Sequence, residues 1–449
     1  MHDPELRDAW LSYASSFPHA SAFFRNTVQY RNQQSFDDKG RRIPSKINYY
    51  KLFTEQCFNL LRVGGECGIV IPSGIYTDLG AKQLREMLFA ETKVTGLFGF
   101  ENRKQVFDNV DSRYKFVVLT FEKGGRTKHF PTAFMRLNVE ELERFPQEGA
   151  IEISMDLIRR LSPDSLSLME FKNTLDVHIA EKLLQFPPLG QQLDGTWNLR
   201  LTQEFNMTTD SDLFHTSPKK GDLLLVQGNT LHQFNHDFAN PKYWINQSEG
   251  RRRILGKTPD KGQLLSYQVY RVVHRRIARN TDERTAIACV LPPLRFCADT
   301  AQTMRNVIEP RFLLFLTALL NSFVSDWEVR QRVTAHMDMH FVYMMRFPRL
   351  TETDKAFGPL VQRAAQLTCI TPEFDDLAKD VGLKSHKAGA TDLAKRGRLR
   401  AELDGLIAHL YGLTEEEFAY ILGTFPLVSD PVKVAALNAY RDVERGLIS

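Results

Sequence analysis

No apolar run in this 449-residue chain approaches the ~20 residues needed to cross a bilayer as a helix. The opening residues, Met1-His-Asp-Pro-Glu5, show no basic stretch followed by an apolar core, so no secretory signal is expected there. These two absences predict a cytoplasmic chain with no membrane partner. Cysteine is scarce, and its five positions (57, 67, 289, 297 and 369) are odd in number, scattered and without C-x-x-C spacing. A disulfide framework and a zinc site are thereby disfavoured, and no metal is expected. Cys57 and Cys67 fall in apolar patterns and read as small buried hydrophobes. Internal repeats and low-complexity tracts are missing too. Neither sign of charge dominates: 58 Lys and Arg against 54 Asp and Glu give +4, which permits a nucleic-acid partner without demanding one. What remains is 43% hydrophobic and 25% charged, a globular composition long enough for two or three domains.

The most informative stretch is residues 47–122. Apolar residues recur at three- and four-residue steps from Ile47 to Leu61, which predicts a helix stopped by Gly64-Gly65. A short apolar run, Cys67 to Ile71, ends in Pro72-Ser73-Gly74 and reads as a strand. A second helix is predicted over 80–91, then strands over 93–100 and 113–121 bridged by the polar loop 101–111. Strands alternating with helices predict a mostly parallel sheet with both faces covered, the Rossmann-like kind of α/β arrangement.

This order of helix, Gly-Gly, buried strand, Pro-Ser-Gly, helix, strand, polar loop with Val106-Phe107, and strand resembles the second half of the catalytic domain of S-adenosylmethionine-dependent DNA adenine methyltransferases. The large fused methylases of type IIG restriction-modification and of the BREX and DISARM phage-defence systems are the nearest in pattern. The resemblance implies a partial methyltransferase sheet over residues 1–125 and a role for Phe107 in stacking on a flipped-out adenine. Flipping is physically required, because a base amino group inside a stacked duplex cannot be reached. The alternative for Phe107 is core filler beneath its loop. Glu101-Asn102-Arg103 beside it touches cofactor or phosphate, or is only a turn. Two family motifs occur nowhere in these residues: the Asn-Pro-Pro-aromatic string that holds the target amino group, and the upstream Gly-rich cofactor loop.

The rest of the chain divides by composition. Residues 126–195 read as a connector, with Pro187 to Gly195 as the linker. Residues 196–348 are the α+β target-recognition domain that the resemblance implies, and 349–449 form a C-terminal helical region. The run from Gln227 to Phe238 is dense in amides, imidazoles and aromatics. Gln233 and His236 in it are candidates for base-edge contact, or else knit the loop by hydrogen bonds. Arginines cluster between 251 and 284. On a predicted strand over 267–273, alternation puts Arg271 and Arg275 on one face. Arg271, Arg275, Arg276, Arg279 and Arg284 are therefore expected to meet DNA, mainly its phosphates, which the planar guanidinium fork suits. A solvated charged face is the plain alternative. Arg330, Arg332 and His336, after an apolar helix predicted over 311–333, are expected to face DNA as well. In the C-terminal part, Gly412 stops one helix and Thr414 with Glu417 caps the next.

Two functions follow. In the first, the chain is part of an N6-adenine DNA methyltransferase of a restriction-modification or phage-defence system. It would bind double-stranded DNA and depend for S-adenosylmethionine and activity on a second chain carrying the N-terminal half, with other defence-system subunits as further candidate partners. In the second, it is a non-catalytic DNA- or partner-binding specificity module. No nuclease constellation is visible in the sequence.

Overall fold

The computed structural model describes residues 3–36, 40–43, 46–333 and 336–448. The chain divides into two compact units, Met1–His178 and Ile179–Ser449.

In the first unit, α1 (Pro4–Asn26) starts at Asp3, whose carboxylate accepts from the amides of Glu5 and Leu6. None of its residues is buried. The predicted elements then follow: α2 (Tyr49–Leu60), β1 (Glu66–Pro72), α3 (Lys82–Glu91), β2 (Thr92–Glu101) and β3 (Lys115–Lys123). Two more strands, β4 (His129–Arg136) and β5 (Ile151–Ser154), complete a sheet of order β1-β3-β2-β4-β5 among the described residues. Both lie in the segment read from sequence as a connector.

The pairing departs from the expected mostly parallel sheet. β3 runs antiparallel to both β1 and β2, β2 pairs parallel with β4, and β4 pairs antiparallel with β5. The helical crossover makes β1 and β2 parallel but leaves one strand's width between them. β3 returns through the loop 102–114 and fills that gap in the opposite sense. Helix–strand alternation in a sequence does not reveal such an insertion, because a strand reached by a loop alone can pair antiparallel.

Arg85 and Gly74 shape the end of β1. Arg85, on α3 and 1% exposed, donates to the carbonyls of Ile75, Asp78 and Ser165. Gly74 lies so close to its neighbours that a Cβ there would stand 2.5 Å from Asp78 Oδ2 and 2.7 Å from the Tyr50 hydroxyl. The Pro-Ser-Gly turn therefore needs glycine for space.

The second unit contains a four-stranded antiparallel sheet and a three-stranded mixed one. The first has the order β10-β9-β12-β6, from β6 (Leu201–Thr202), β9 (Arg271–Arg275), β10 (Ala288–Leu291) and β12 (Ala301–Met304). The second has the order β8-β7-β11, from β7 (Asp222–Val226), β8 (Trp244–Asn246) and β11 (Arg295–Cys297). Val226, Leu231, Val273, Cys289, Leu291 and Cys297 pack into one core cluster. Cys289, Cys297 and Cys369 are buried free thiols, whereas Cys57 and Cys67 are only half-buried, contrary to the expectation for those two.

The helix predicted over 311–333 is broken. α4 (Pro310–Asn321) and α5 (Phe323–Arg330) meet at Ser322 with a 60° bend. Ser322 closes α4 and caps α5, its Oγ accepting from the Ser325 amide at 3.1 Å. Asn321 bridges to β10, accepting from the Ala288 amide and donating to the Ala288 carbonyl, both at 2.9 Å. No single helix among the described residues is long and apolar enough to cross a membrane. The C-terminal part is helical: α6 (Phe357–Thr368), α7 (Leu393–Leu410), α8 (Glu415–Gly423) and α9 (Asp430–Glu444). Thr414 and Glu417 form the expected reciprocal cap of α8.

Asp404 on α7 reaches back to the helix break and accepts from the Phe323 amide at 2.9 Å. Burial pushes its carboxyl up to about 6, against the opposing pull of Arg284 and Arg400. The folded state therefore holds this proton more tightly than the unfolded chain does. Its contribution to stability is full below pH 3.8 and is lost as pH rises through about 6. Asp404→Asn should remove that decline, as measured by urea unfolding at a series of pH values between these limits. A variant with the parent's slope would show that Asp404 does not titrate there.

Candidate functional site

In an α/β sheet, loops that leave the carboxyl ends of neighbouring strands tend to gather ligands. The ends of β1 and β2 are such a place, since both are antiparallel to β3 and so point the same way. The turn after β1 carries Ser73, whose amide donates to the Lys115 carbonyl at 3.1 Å. Below it, the Tyr76 hydroxyl donates to Glu170 Oε1 at 2.9 Å, and Lys115 Nζ pairs with the other carboxylate oxygen. Burial, with Glu170 adding to it, pushes the Tyr76 phenol well above its usual value, so Tyr76 stays a neutral donor.

The loop after β2 presents Phe107. Asn102, fully buried, accepts from the Phe107 amide at 2.9 Å and donates to the Phe107 and Val110 carbonyls, each at 3.0 Å. Gln105 and Asn109 take left-handed backbone conformations to make the bend. One edge of the Phe107 ring meets Phe116 at a centroid distance of 4.8 Å, and the residue remains 43% exposed. It is thus anchored without being core filler. Of the Glu101-Asn102-Arg103 string, Asn102 serves the turn, and Arg103 pairs with Glu101 at 2.6 Å.

The expected DNA-facing residues of the second unit are mostly turned inward. Arg271 and Arg275 do share a face of β9, but Arg271 is 1% exposed, pairs with buried Glu204 and donates to the Arg295 carbonyl. Arg275 gives its guanidinium to the Gly228 and Leu231 carbonyls. Arg276 pairs with Asp338 at 2.6 Å. Arg284 and Arg330 flank Asp326, at 2.7 and 3.1 Å, and Arg332 pairs with Glu328 at 3.5 Å with both side chains buried. Gln233 is buried, donating to the Ala286 and Asn321 carbonyls at 3.2 Å. His236 meets Glu373 at 3.2 Å, and burial pushes its pKa down against that partner. The physical reason is that most of these groups are already engaged within the unit: Arg271, Arg284, Arg330 and Arg332 with buried carboxylates, Gln233 and Arg275 with carbonyls, and Arg276 and His236 with the partly exposed Asp338 and Glu373. Arg279 and His336 alone among the ten are exposed.

Glu204, Asp326 and Asn102, which organise these arrangements, were not singled out as partners from the sequence. Each sits far along the chain from at least one group it binds, or in a string whose role was open.

Residues 24–107 match the family of Eco57I restriction-modification methylases. The matched segment contains α2, β1, β2 and the loop up to Phe107, and supports a DNA-methyltransferase-related function. Nothing matches among curated proteins. Similar solved structures include the type IIL restriction-modification enzyme MmeI in complex with DNA, at 11% identity and a TM-score of 0.47, over 88% of this chain and 52% of that one. The type IIG restriction endonuclease BpuSI is similar at 14% identity and a TM-score of 0.32, over 83% and 51%. A nuclease-deletion mutant of the type ISP enzyme LlaGI with a DNA substrate mimic is similar at 10% identity and a TM-score of 0.41, over 71% and 36%. The chain thus spans about half the length of the MmeI and BpuSI chains.

The inward arginines give a direct expectation. Glu204→Gln leaves the Arg271 cation buried without its counter-ion and should cost about 3–5 kcal/mol. Arg279→Glu, at an exposed position, should leave the unfolding midpoint unchanged. Urea denaturation of both variants decides it, and equal midpoints would contradict the assigned roles.

Proposed function

We propose that this chain contributes part of the catalytic domain and the DNA-recognition part of an S-adenosylmethionine-dependent N6-adenine DNA methyltransferase of a restriction-modification or phage-defence system. Its partners in this reading are double-stranded DNA and a polypeptide region carrying the N-terminal half of the catalytic domain. The observation that carries the reading is the methylase-family match over residues 24–107, which ends on the half-exposed, anchored ring of Phe107. Phe107 would stack on the extruded adenine, and Arg279 and His336 would meet DNA.

The cofactor supplies the methyl group. Its pocket would need roughly 300–1,000 Å³. The cavity under the turn after β1, lined by Ile75, Tyr76, Leu88 and Phe130, is about 10 Å³. That cavity is too small for the cofactor, and the reading assigns its pocket to the N-terminal half. Two features favour a partner on this unit. β1 is an edge strand with Val70 51% exposed. Along α1, Leu6, Trp10, Tyr13 and Phe17 form one exposed apolar stripe at helical spacing.

The alternative, a non-catalytic specificity module, is favoured by the lack of a Gly-rich loop and an Asn-Pro-Pro-aromatic string in the sequence. Methyl transfer from labelled cofactor to duplex DNA, measured for the chain alone and with an N-terminal half, separates the two. Activity only in the mixture supports the enzyme, and DNA binding without methylation in either supports the module. In the active mixture, Phe107→Ala should lose about 1–3 kcal/mol of stacking, roughly 5- to 150-fold in methylation rate, with DNA binding much less affected. Full activity in that variant would remove Phe107 from the site.

A further inference from the structure

A cavity of about 700 Å³ lies inside the second unit, between the loop carrying Gln233 and the helices α7 and α9. It has the size of a small-molecule site, and nothing in the methyl-transfer reading uses it. One wall is cationic, with Arg275, Arg284 and Arg400 lining it. Apolar side chains complete the lining, including Val428, Val432 and Ala439.

Arg400 is the unexplained group. Its Nη2 makes one long hydrogen bond, 3.4 Å, to the Gln233 carbonyl, and its Nε is buried without a partner. Burial pulls it down to about 10. A desolvated cation with so little compensation is costly unless something else satisfies it. Arg275 and Arg284 each commit two nitrogens to other partners and retain a third, because a guanidinium has five N–H donors. Carboxylates also line the cavity, but several are engaged elsewhere: Glu402 pairs with Arg363 at 2.8 Å, Asp282 accepts from the Arg279 amide, and Asp404 accepts from Phe323. Glu283 and Asp442 line the cavity too, and the arginines dominate only locally, around Arg400 and His232. His232, part of the same lining, is pushed down to about 4 by burial and then by Arg400, Arg275 and Arg284.

We infer that this cavity binds a nucleotide, its phosphate held by Arg400 with the uncommitted nitrogens of Arg284 and Arg275 and its base laid on the aliphatic lining at Val428 and Val432. Guanidinium forks match phosphate oxygens, and an apolar surface accepts any base face. The nucleotide is either free or a residue of a DNA strand, and the site stands whether or not the chain takes part in methyl transfer.

The test is calorimetric titration of the full chain with 2′-deoxyadenosine 5′-monophosphate, with 2′-deoxyadenosine, and with the monophosphate in the presence of duplex DNA. The monophosphate should bind, and the nucleoside at least about tenfold more weakly. Arg400→Gln should weaken the monophosphate by about tenfold or more, with no loss of thermal stability. Arg400→Lys keeps the charge without the fork and should fall between. Arg398→Gln, at the exposed rim, should bind as the parent does. Competition by duplex DNA assigns the nucleotide to a strand, and its absence assigns a free ligand; either outcome keeps the site. Absence of binding at millimolar monophosphate, or unchanged affinity in both Arg400 variants, overturns it.

Discussion

The second unit depends on the fully buried carboxylate of Asp326. It accepts from Arg284 and Arg330 and from the Thr285 amide, and so ties the helix pair α4 and α5 to the segment that leads into β10. The two guanidiniums also lie over aromatic rings, Arg284 on Phe323 and Arg330 on Phe425, each at 4.1 Å. Charge, hydrogen bonding and ring contact all act on the same few atoms. A buried ion triad of this kind is a weak source of net stability, because taking the charges out of water offsets most of their attraction. Its effect is directional: few other registers of helix against sheet would satisfy all of its donors and acceptors.

A similar logic runs through the unit. Glu204 receives Arg271 and the Cys297 amide, joining the loop before β7 to both sheets. Glu328 receives Arg332 and the Arg346 amide. Arginine is the common choice, since its donors spread over a plane and reach several carbonyls at once. The arginine-rich composition of residues 251–284 is in large part the sign of an internally braced unit. The residual cation at Arg400 stands out against that background.

In the first unit the organising constraint is backbone geometry. The crossover from β1 to β2 leaves a vacant strand position, β3 fills it, and the loop it needs to turn back is the one that displays Phe107. Asn102 substitutes for the backbone partners that the loop lacks. An aromatic residue can stay 43% exposed there because its own amide and carbonyl are held from below.

Much of the local structure was legible in the chain. The periodicity of 47–61, the caps at Thr414 and Glu417 and the apolar runs that became β1, β2 and β3 all reflect interactions between residues a few positions apart, whereas α2 closes at the extended Leu61, ahead of the expected Gly64-Gly65 stop. The order of motifs around Pro72-Ser73-Gly74 and Phe107 pointed to the family whose match covers residues 24–107. Strand direction, the break at Ser322 and the fate of the arginines were not legible. Alternation placed Arg271 and Arg275 on one face correctly, yet had no means of saying whether that face met water or Glu204.

What the sequence determined by itself, then, was largely which segments are helix or strand, because hydrophobic spacing and capping are local. Only the tertiary structure decided which charges face outward, since that depends on counter-ions brought from distant parts of the chain, Glu204 lying 67 positions from Arg271. A charge is written in the sequence, but its solvation is a property of the packed unit.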